Sequence, residues 1–457
     1  METLYNIVQY VLDFEAAVLV PIVMFILALI LRVKPSQAFK SALTIGVGFV
    51  GIFAIFGLFT DIVSPAAQGM ADNAGINLPI ADLGWPPLAA ITWGTPVAPL
   101  VILTTIIINI IMLTFKWTKT VNVDVWNYWH FALVGAFVYY TTGNLWLGVV
   151  ASGILTVITL LLADWSAPLL QKTWGLEGIS FPTASSVIFF PIGLFGNWVI
   201  DKIPGVRNID INPENIQKRF GIFGEPLIIG TLLGALIGVL AGYDLQNVLS
   251  IAINVGAVMF ILPRMVAILM EGLQPISDGV RDFLNKRYEG VDELYIGLDH
   301  AIAAGQSTVI STGLLLTPIA LLIAFILPGN RALPLGDLAN LALFSSMMVL
   351  ASRNNIFRAL LISIPMIIVD LLVATNLAPL ITRMAEAVNF SLPEGGGLVT
   401  SFLDGGNPLR YWIYEIFNGN IWALIAIPIG LILIWWIYKV TYNRAFLVST
   451  ERKDKYE

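Results

Sequence analysis

The sequence predicts an all-α membrane protein of about eleven transmembrane helices plus re-entrant segments, arranged as two inverted five-helix repeats. Three observations carry that expectation. Of 457 residues, 57% are hydrophobic and 12% charged, about half the roughly 25% charge of a soluble domain, so a soluble fold would lack the polar residues to cover its surface. Apolar runs of spanning length recur along the chain, and the mean hydropathy is +0.83. Rare Pro, Gly and acidic residues share a register about 210 residues apart.

Spans are expected at 16–33, 39–60, 97–115, 127–142, 146–164, 222–242, 249–269, 307–327, 338–350, 359–380 and 420–438. Four other stretches are apolar but rich in Gly, Pro, Ser and Thr, or too short to span: 82–96, 179–199, 291–306 and 389–412. They are expected to be re-entrant or broken, because irregular backbone at membrane depth survives only where protein or a watery cavity covers it. With the N-terminus outside, all but three of the 24 basic residues fall in cytoplasmic loops or the tail, the exceptions being Arg331, Arg383 and Arg410. The positive-inside rule then places the N-terminus outside and the C-terminus in the cytoplasm. The N-terminus "METLYNIVQYVLDFE" is acidic and lacks the basic region of a cleaved signal, so the first apolar segment is expected to stay.

The net charge of −6 says little in such a protein. The absence of cysteine excludes disulfides, Cys-based metal sites, a thiol nucleophile and a phosphocysteine on this chain. His130 and His300, the only two histidines, do not by themselves make a metal site, and no cofactor is expected. Nothing points to nucleic acid.

The 210-residue register matches Glu15 with Glu225, Gly46 with Gly256, Pro65 and Gly69 with Pro275 and Gly279, Asp82 with Asp292, Trp85 with Tyr295 and Asn144 with Asn354. Five spans per half is an odd number, so the second half would be inverted, as in many secondary transporters. The expected organisation is a first repeat at 1–165 with spans in 16–60 and 82–165. A re-entrant segment and cytoplasmic linker follow at 166–221, and a second repeat at 222–380 has its spans in 222–270 and 291–380. An outer re-entrant segment at 381–419 precedes a final span and tail at 420–457.

Three stretches carry a family resemblance: "WNYWHFALVGAFVYYTTGN" (126–144), "YIGLDHAIAAGQ" (295–306) and "PLGDLANLALFSS" (334–346). They resemble the galactitol-type membrane component, enzyme IIC, of the bacterial phosphoenolpyruvate-dependent sugar phosphotransferase system, within the ascorbate–galactitol superfamily. The resemblance covers essentially the whole chain. It implies a bacterial inner-membrane homodimer with a V-shaped dimerising scaffold (scaffold spans in 16–60 and 222–270) and a mobile core (core spans in 82–165 and 291–380), elevator-like transport of galactitol or a related polyol, and a separate IIB phosphocarrier charged by IIA upstream. The chain alone would be no enzyme, since the phosphoryl donor is the partner. An ascorbate-type relative has a substrate-contacting His in a Gly-His context and an Asp in a Tyr-x-Leu-Asp context, for which His130 and Asp299 are the nearest matches. Here Trp129 precedes the His, the spacing is Tyr-Ile-Gly-Leu-Asp, and His300 follows. Ascorbate or another polyol, and a proton-coupled secondary transporter using Asp299–His300 as a relay, stay open as alternatives.

Candidate substrate-binding residues follow from what an apolar setting demands of polar groups. A neutral His130 both donates and accepts to adjacent hydroxyls, or bonds a neighbouring carbonyl. Asp299 accepts from vicinal hydroxyls, or caps a short helix. His300 and Gln306 have the same double reading. Trp85 and Tyr295 offer faces for sugar C–H groups, or pack. Ser185 and Thr183 lie in a Pro-bounded polar tip. Asn144 and Asn354 sit at span ends, where turn or cap duty competes with substrate contact. Arg353 is the candidate for steering phosphate or docking IIB, or is an ordinary loop cation.

Overall fold

The computed structural model describes residues 16–30, 32–73, 75, 78–212, 225–287, 294–392 and 397–447. The acidic N-terminus, Lys218 and Arg219, and the basic tail residues Arg452, Lys453 and Lys455 lie outside them.

The chain is mostly helical. A first series runs α1 (Ala16–Ile30), α2 (Pro35–Asn73), β1 (Ile80–Asp82), α3 (Trp85–Trp93), α4 (Ala98–Thr114), β2 (Thr120–Asn122), a 3₁₀ turn (Val125–Tyr128), α5 (Trp129–Thr142), α6 (Leu145–Trp174), β3 (Ile179–Ser180) and α7 (Phe189–Ile200). A second series runs α8 (Pro226–Leu240), α9 (Leu245–Arg287), β4 (Tyr295–Gly297), a 3₁₀ turn (His300–Gly305), α10 (Ser307–Ile326), β5 (Ala332–Leu333), a 3₁₀ turn (Leu338–Asn340), α11 (Leu341–Ala351), α12 (Ile356–Ala387), β6 (Leu398–Thr400) and α13 (Pro408–Phe417). The element order of the second series follows the first, with a 3₁₀ turn where α3 stands. The helix α14 (Ile421–Leu447) comes last.

Of the eleven expected spans, six are helices long and apolar enough to cross a membrane alone, and the bent pair α3–α4, kinked by 94°, makes a seventh if counted as one span. The helices at the other expected positions are shorter: 17 residues in α4, 14 in α5, 15 in α8 and 11 in α11, with 15 described residues in α1. Strands and 3₁₀ turns take up the polar flanks of α4, α5 and α11. The long helices overrun their expected ends. Residues 61–73 extend α2 through Pro65, because polar side chains do not stop a helix and proline forfeits only one backbone bond and bends the axis. The stop comes at Gly75, with φ +65, whose N–H donates to the Asp72 carbonyl at 3.0 Å.

Three of the four awkward stretches hold the strands β3, β4 and β6, and β1 ends on the first residue of the other, Asp82. All strand pairing is parallel and forms two small sheets, ordered β5-β1-β6 and β2-β4-β3. The register sets Asp82 beside Thr400 in the first sheet and Gly297 beside Asn122 in the second. In each sheet the central strand comes from one series and both flanking strands from the other. Gly84, at φ +75, and Gly336 let the two chain segments that follow β1 and β5 touch backbone to backbone. A Cβ on Gly84 would lie 2.7 Å from the Gly336 carbonyl oxygen.

Helix packing uses small residues, as it must when lipid offers no competing hydrophobic gain. The tight α5–α6 hairpin turns on Gly143, at φ +69, and Asn144. Above it Gly135 and Gly148 face each other, and a Cβ on Gly148 would sit 2.6 Å from the Gly135 carbonyl oxygen. Gly148→Val is therefore expected to cost about 1–3 kcal/mol by overpacking and to lower the thermal unfolding midpoint in detergent. Gly57→Ala, where nothing lies within 4 Å, is expected to leave that midpoint unchanged or raise it.

Candidate functional site

All six strands lead into one cleft. Each strand is followed within seven residues by a residue that lines it: Trp85 after β1, Asn127 after β2, Ser185 after β3, Asp299 after β4, Asn340 after β5 and Leu403 after β6. Trp129, His130, His300, Leu343, Phe344 and Asp404 extend these walls, and Phe53 and Phe56 of α2 close another side. Counting its mouth, the cleft has about 690 Å³ of free space.

On one side, Asp299 caps the 3₁₀ turn by accepting from the Ala301 N–H, and its other oxygen accepts from the Asn127 amide. Asn127 also donates to Asp124 at 3.0 Å. The His300 backbone N–H donates to Thr183 Oγ1 at 3.2 Å. The His300 ring lies 3.9 Å from the Asp299 carboxylate through Nε2, while its Nδ1 is buried without a partner among the described residues.

Opposite stands a charge cluster built on Arg410 of α13, which is fully buried. Its guanidinium donates to the Asp404 carbonyl and carboxylate, both at 2.8 Å, and to His130 Nδ1 at 2.8 Å. A guanidinium has no acceptor, so His130 Nδ1 must present its lone pair, and the neutral ring carries its proton on Nε2. His130 thus offers a donor in a wall where Asp404 and Asp299 offer acceptors. Its ring packs 4.0 Å from Trp129, which stacks at 6.4 Å on Trp85.

Two carboxylates, the buried Asp337 and the half-buried Asp82, support this framework. Asp82 accepts from the Gly84, Phe402 and Asp337 N–H groups at 3.0, 2.9 and 3.0 Å. Asp337 accepts from the Trp85 N–H at 2.9 Å, the Leu403 N–H at 3.2 Å and the Ser401 hydroxyl at 2.7 Å. They thereby fix where Trp85 and Leu403 leave the first sheet.

Of the residues singled out in the sequence, the cleft gathers His130, Asp299, His300, Trp85 and Ser185. Gln306 opens α10, its carbonyl accepting from Val309 and Ile310 N–H at 2.9 and 3.3 Å, and is not in the wall. Asn144 caps α6, accepting from Trp146 and Leu147 N–H at 3.0 and 3.2 Å. Asn354, at φ +62, accepts from Trp174 Nε1 at 2.8 Å. Arg353 precedes it in the same turn, at φ +55. Tyr295 is buried in β4, and Thr183 serves His300 from behind the wall.

Asn127, Asn340, Asp404 and Arg410 escaped sequence reasoning. A weak signal existed for each Asn: Asp-x-x-Asn occurs at 124–127 and at 337–340, and also at 244–247, 282–285 and 404–407, and the first two have Asn to Asp hydrogen bonds of 3.0 and 3.4 Å. The signal for Arg410 was its place among the three cations that the loop-charge bias leaves unexplained.

A family model described as "PTS system sugar-specific permease component" matches residues 10–395. The chain belongs to that family. The "PTS system galactitol-specific EIIC component" of Escherichia coli K12 is 38% identical over 441 residues, 96% of each chain. The protein of the same name from Escherichia coli O157:H7 matches equally. This permease component is a membrane transport subunit, in keeping with its long apolar helices.

The charge cluster of the permease can be tested by itself. Arg410→Met is expected to cost about 3–5 kcal/mol, because Asp404 is left as an uncompensated buried charge. The double variant Arg410→Met/Asp404→Leu is expected to recover most of that loss, read as thermal midpoints in detergent.

Proposed function

We propose that this permease is the galactitol-translocating IIC subunit of a phosphotransferase system, and that the strand-end cleft is its sugar site. The observation that carries the reading is the cleft itself. An extended polyol is a chain of C–H edges and vicinal hydroxyls, each both donor and acceptor. The cleft sets the stacked Trp85–Trp129 pair beside Asp299, His130, His300, Asn127, Asn340 and Asp404. Likeness to relatives named for galactitol supports that sugar over ascorbate.

The same reading takes the two series of elements as inverted repeats within an eleven-span subunit, N-terminus outside and C-terminus in the cytoplasm. Three features support it. α2 and α9 begin 210 residues apart. Each sheet has a centre from one series and flanks from the other. The Asp-x-x-Asn pairs recur after β2 and β5. The element register pairs Trp85 with His300 rather than with Tyr295. Two such subunits would form a dimer through their scaffolds, and the core would carry sugar inward by an elevator movement. A IIB protein, charged through IIA, would phosphorylate a terminal hydroxyl there, trapping the product as an anion. Arg353 is retained as a candidate on the phosphate side. The chain supplies position and access, and the partner supplies the phosphoryl group.

Phosphoenolpyruvate-dependent phosphorylation of a sugar panel, in membranes with cognate IIA and IIB, tests the assignment. Galactitol is expected to be phosphorylated only when IIB is present. Inert galactitol, or uptake that proceeds without IIB and collapses with the proton gradient, would falsify it. Asp299→Asn is expected to weaken galactitol binding at least tenfold, the scale of one lost charge-assisted hydrogen bond, while the protein stays folded in detergent. Binding at wild-type strength would remove Asp299 from the site.

A further inference from the structure

We propose that Asp299 stands in the cleft as an unbalanced negative charge, so that the site selects uncharged sugar alcohols, rejects acidic sugars and expels its own product once that product carries a phosphate. The proposal rests on the reading of the cleft as the sugar site and adds the physical basis of its selectivity.

The charges of the wall can be followed one by one. Its ionisable groups are Asp299, Asp404, His130 and His300, and no Lys or Arg lines it among the described residues. Asp404 is balanced, since Arg410 holds its carboxylate at 2.8 Å. That guanidinium is fully buried behind the wall, where it also donates to the Asp404 carbonyl and to His130. His130 accepts through Nδ1 and is therefore neutral. An imidazolium at His300 would need two acceptors. Its Nδ1 is buried with no partner among the described residues, and its Nε2 stands 3.9 Å from Asp299, beyond hydrogen-bond reach. The neutral ring is the form this geometry suits.

Asp299 remains. Both of its oxygens accept from N–H groups, those of Ala301 and Asn127, which is the pattern of an ionised carboxylate, and neither donor carries a charge. No Lys or Arg lies within ion-pair distance of it among the described residues. Asp82 and Asp337, which anchor the first sheet nearby, bring no cation either. Their donors are backbone N–H groups, a hydroxyl and an amide. A ligand therefore meets a wall of net negative charge.

A neutral polyol can use that wall, because each hydroxyl donates to a carboxylate. An acidic sugar cannot. Exchanging a terminal CH₂OH for a carboxylate brings a second negative charge into a half-buried cleft, where repulsion is stronger than in water, and an unpaired charge against the wrong ligand is an effective source of specificity. The phosphorylated product is the stronger case, since a phosphate monoester carries about −1.5 to −2 at pH 7. Asp299 thus accepts from the entering sugar and repels the same molecule after phosphorylation, so phosphorylation itself empties the site.

The test is equilibrium binding to the purified full chain in detergent at neutral pH. The ligands are galactitol, galactonate with its terminal carboxylate, aminodeoxygalactitol with a terminal ammonium, and galactitol phosphate. The wild type is expected to bind galactonate and galactitol phosphate at least tenfold more weakly than galactitol, and the amine at least as tightly, the scale of one unit charge met across about 8 Å at an effective dielectric constant of about 20. Asp299→Glu keeps the charge and is expected to keep that order. Within Asp299→Asn, whatever its absolute affinities, galactonate is expected to come within about threefold of galactitol and the amine to lose its advantage. The proposal is overturned by wild type that binds galactonate within about threefold of galactitol, that binds the amine more weakly than galactonate, or that holds galactitol phosphate as tightly as galactitol. The wild-type order surviving in Asp299→Asn would overturn it as well. Should Asp299→Asn bind none of the four measurably, the wild-type order decides. Failure of galactitol to bind the wild type would instead sink the sugar assignment of the cleft.

Discussion

Backbone that breaks its helix inside a membrane must find its own hydrogen-bond partners, because hydrocarbon offers none and each orphan group costs several kcal/mol. This permease breaks its chain at six places around one cleft. The breaks are affordable because they answer one another. Leu83 N–H reaches the Thr400 carbonyl at 2.8 Å, Leu298 N–H the Ser180 carbonyl at 3.0 Å, and Tyr295 N–H the Lys119 carbonyl at 2.8 Å. Where the strands end, Asp82 and Asp337 take over as acceptors. Two sheets of two- and three-residue strands thus let irregular backbone, and the polar side chains it carries, sit at the centre of an apolar protein.

The same economy governs charge. Arg410 is buried with one ion-paired carboxylate, Asp404, and also bonds His130. An ammonium would be a poor substitute: it lacks the flat fork that reaches two oxygens of Asp404 and a ring nitrogen at once. By bonding His130 Nδ1, the arginine also decides which ring nitrogen holds the proton. The polarity of one wall of the cleft is therefore set by a residue on α13, 280 positions away in sequence.

What the sequence disclosed and what it hid divide along physical lines. Long apolar runs announce helices whatever their context, so the membrane class, the six longest helices and the four awkward stretches were all legible. The place of His130 and Asp299 in one cleft fits the sequence expectation that ionisable groups in apolar segments need a reason to be there. Strands of two or three residues have no periodicity to detect, so the sheets, and with them the convergence of distant segments, were not. Asn144 shows the complementary failure. It stands at a span end in repeat register, yet its side chain is spent on the α6 N-terminus, and local capping leaves the same mark in sequence as a ligand contact. Arg410 looked like a loop cation in an odd place because its partner, Asp404, reveals nothing until the chain folds back on itself.

The mix of ties around the cleft bears on how it can open. The walls that follow the strands are bound within each sheet by backbone bonds, by Asp82 and Asp337 in the first and by the Asn127–Asp299 bond in the second, and the Arg410–His130 bond links the two sides, so they must move together or lose several hydrogen bonds at once. The α2 wall is different. Phe53 and Phe56 meet the cleft through side chains alone, and no backbone hydrogen bond joins α2 to the strand ends among the described residues. Sliding α2 past the strand-end body exchanges apolar contacts for other apolar contacts, which costs little if the new ones are of similar area. The seam between α2 and the strand-end body is thus the mechanically weak boundary of the site. A sugar held by Asp299, Asn127 and His130 would stay with the rigid body when that seam moves.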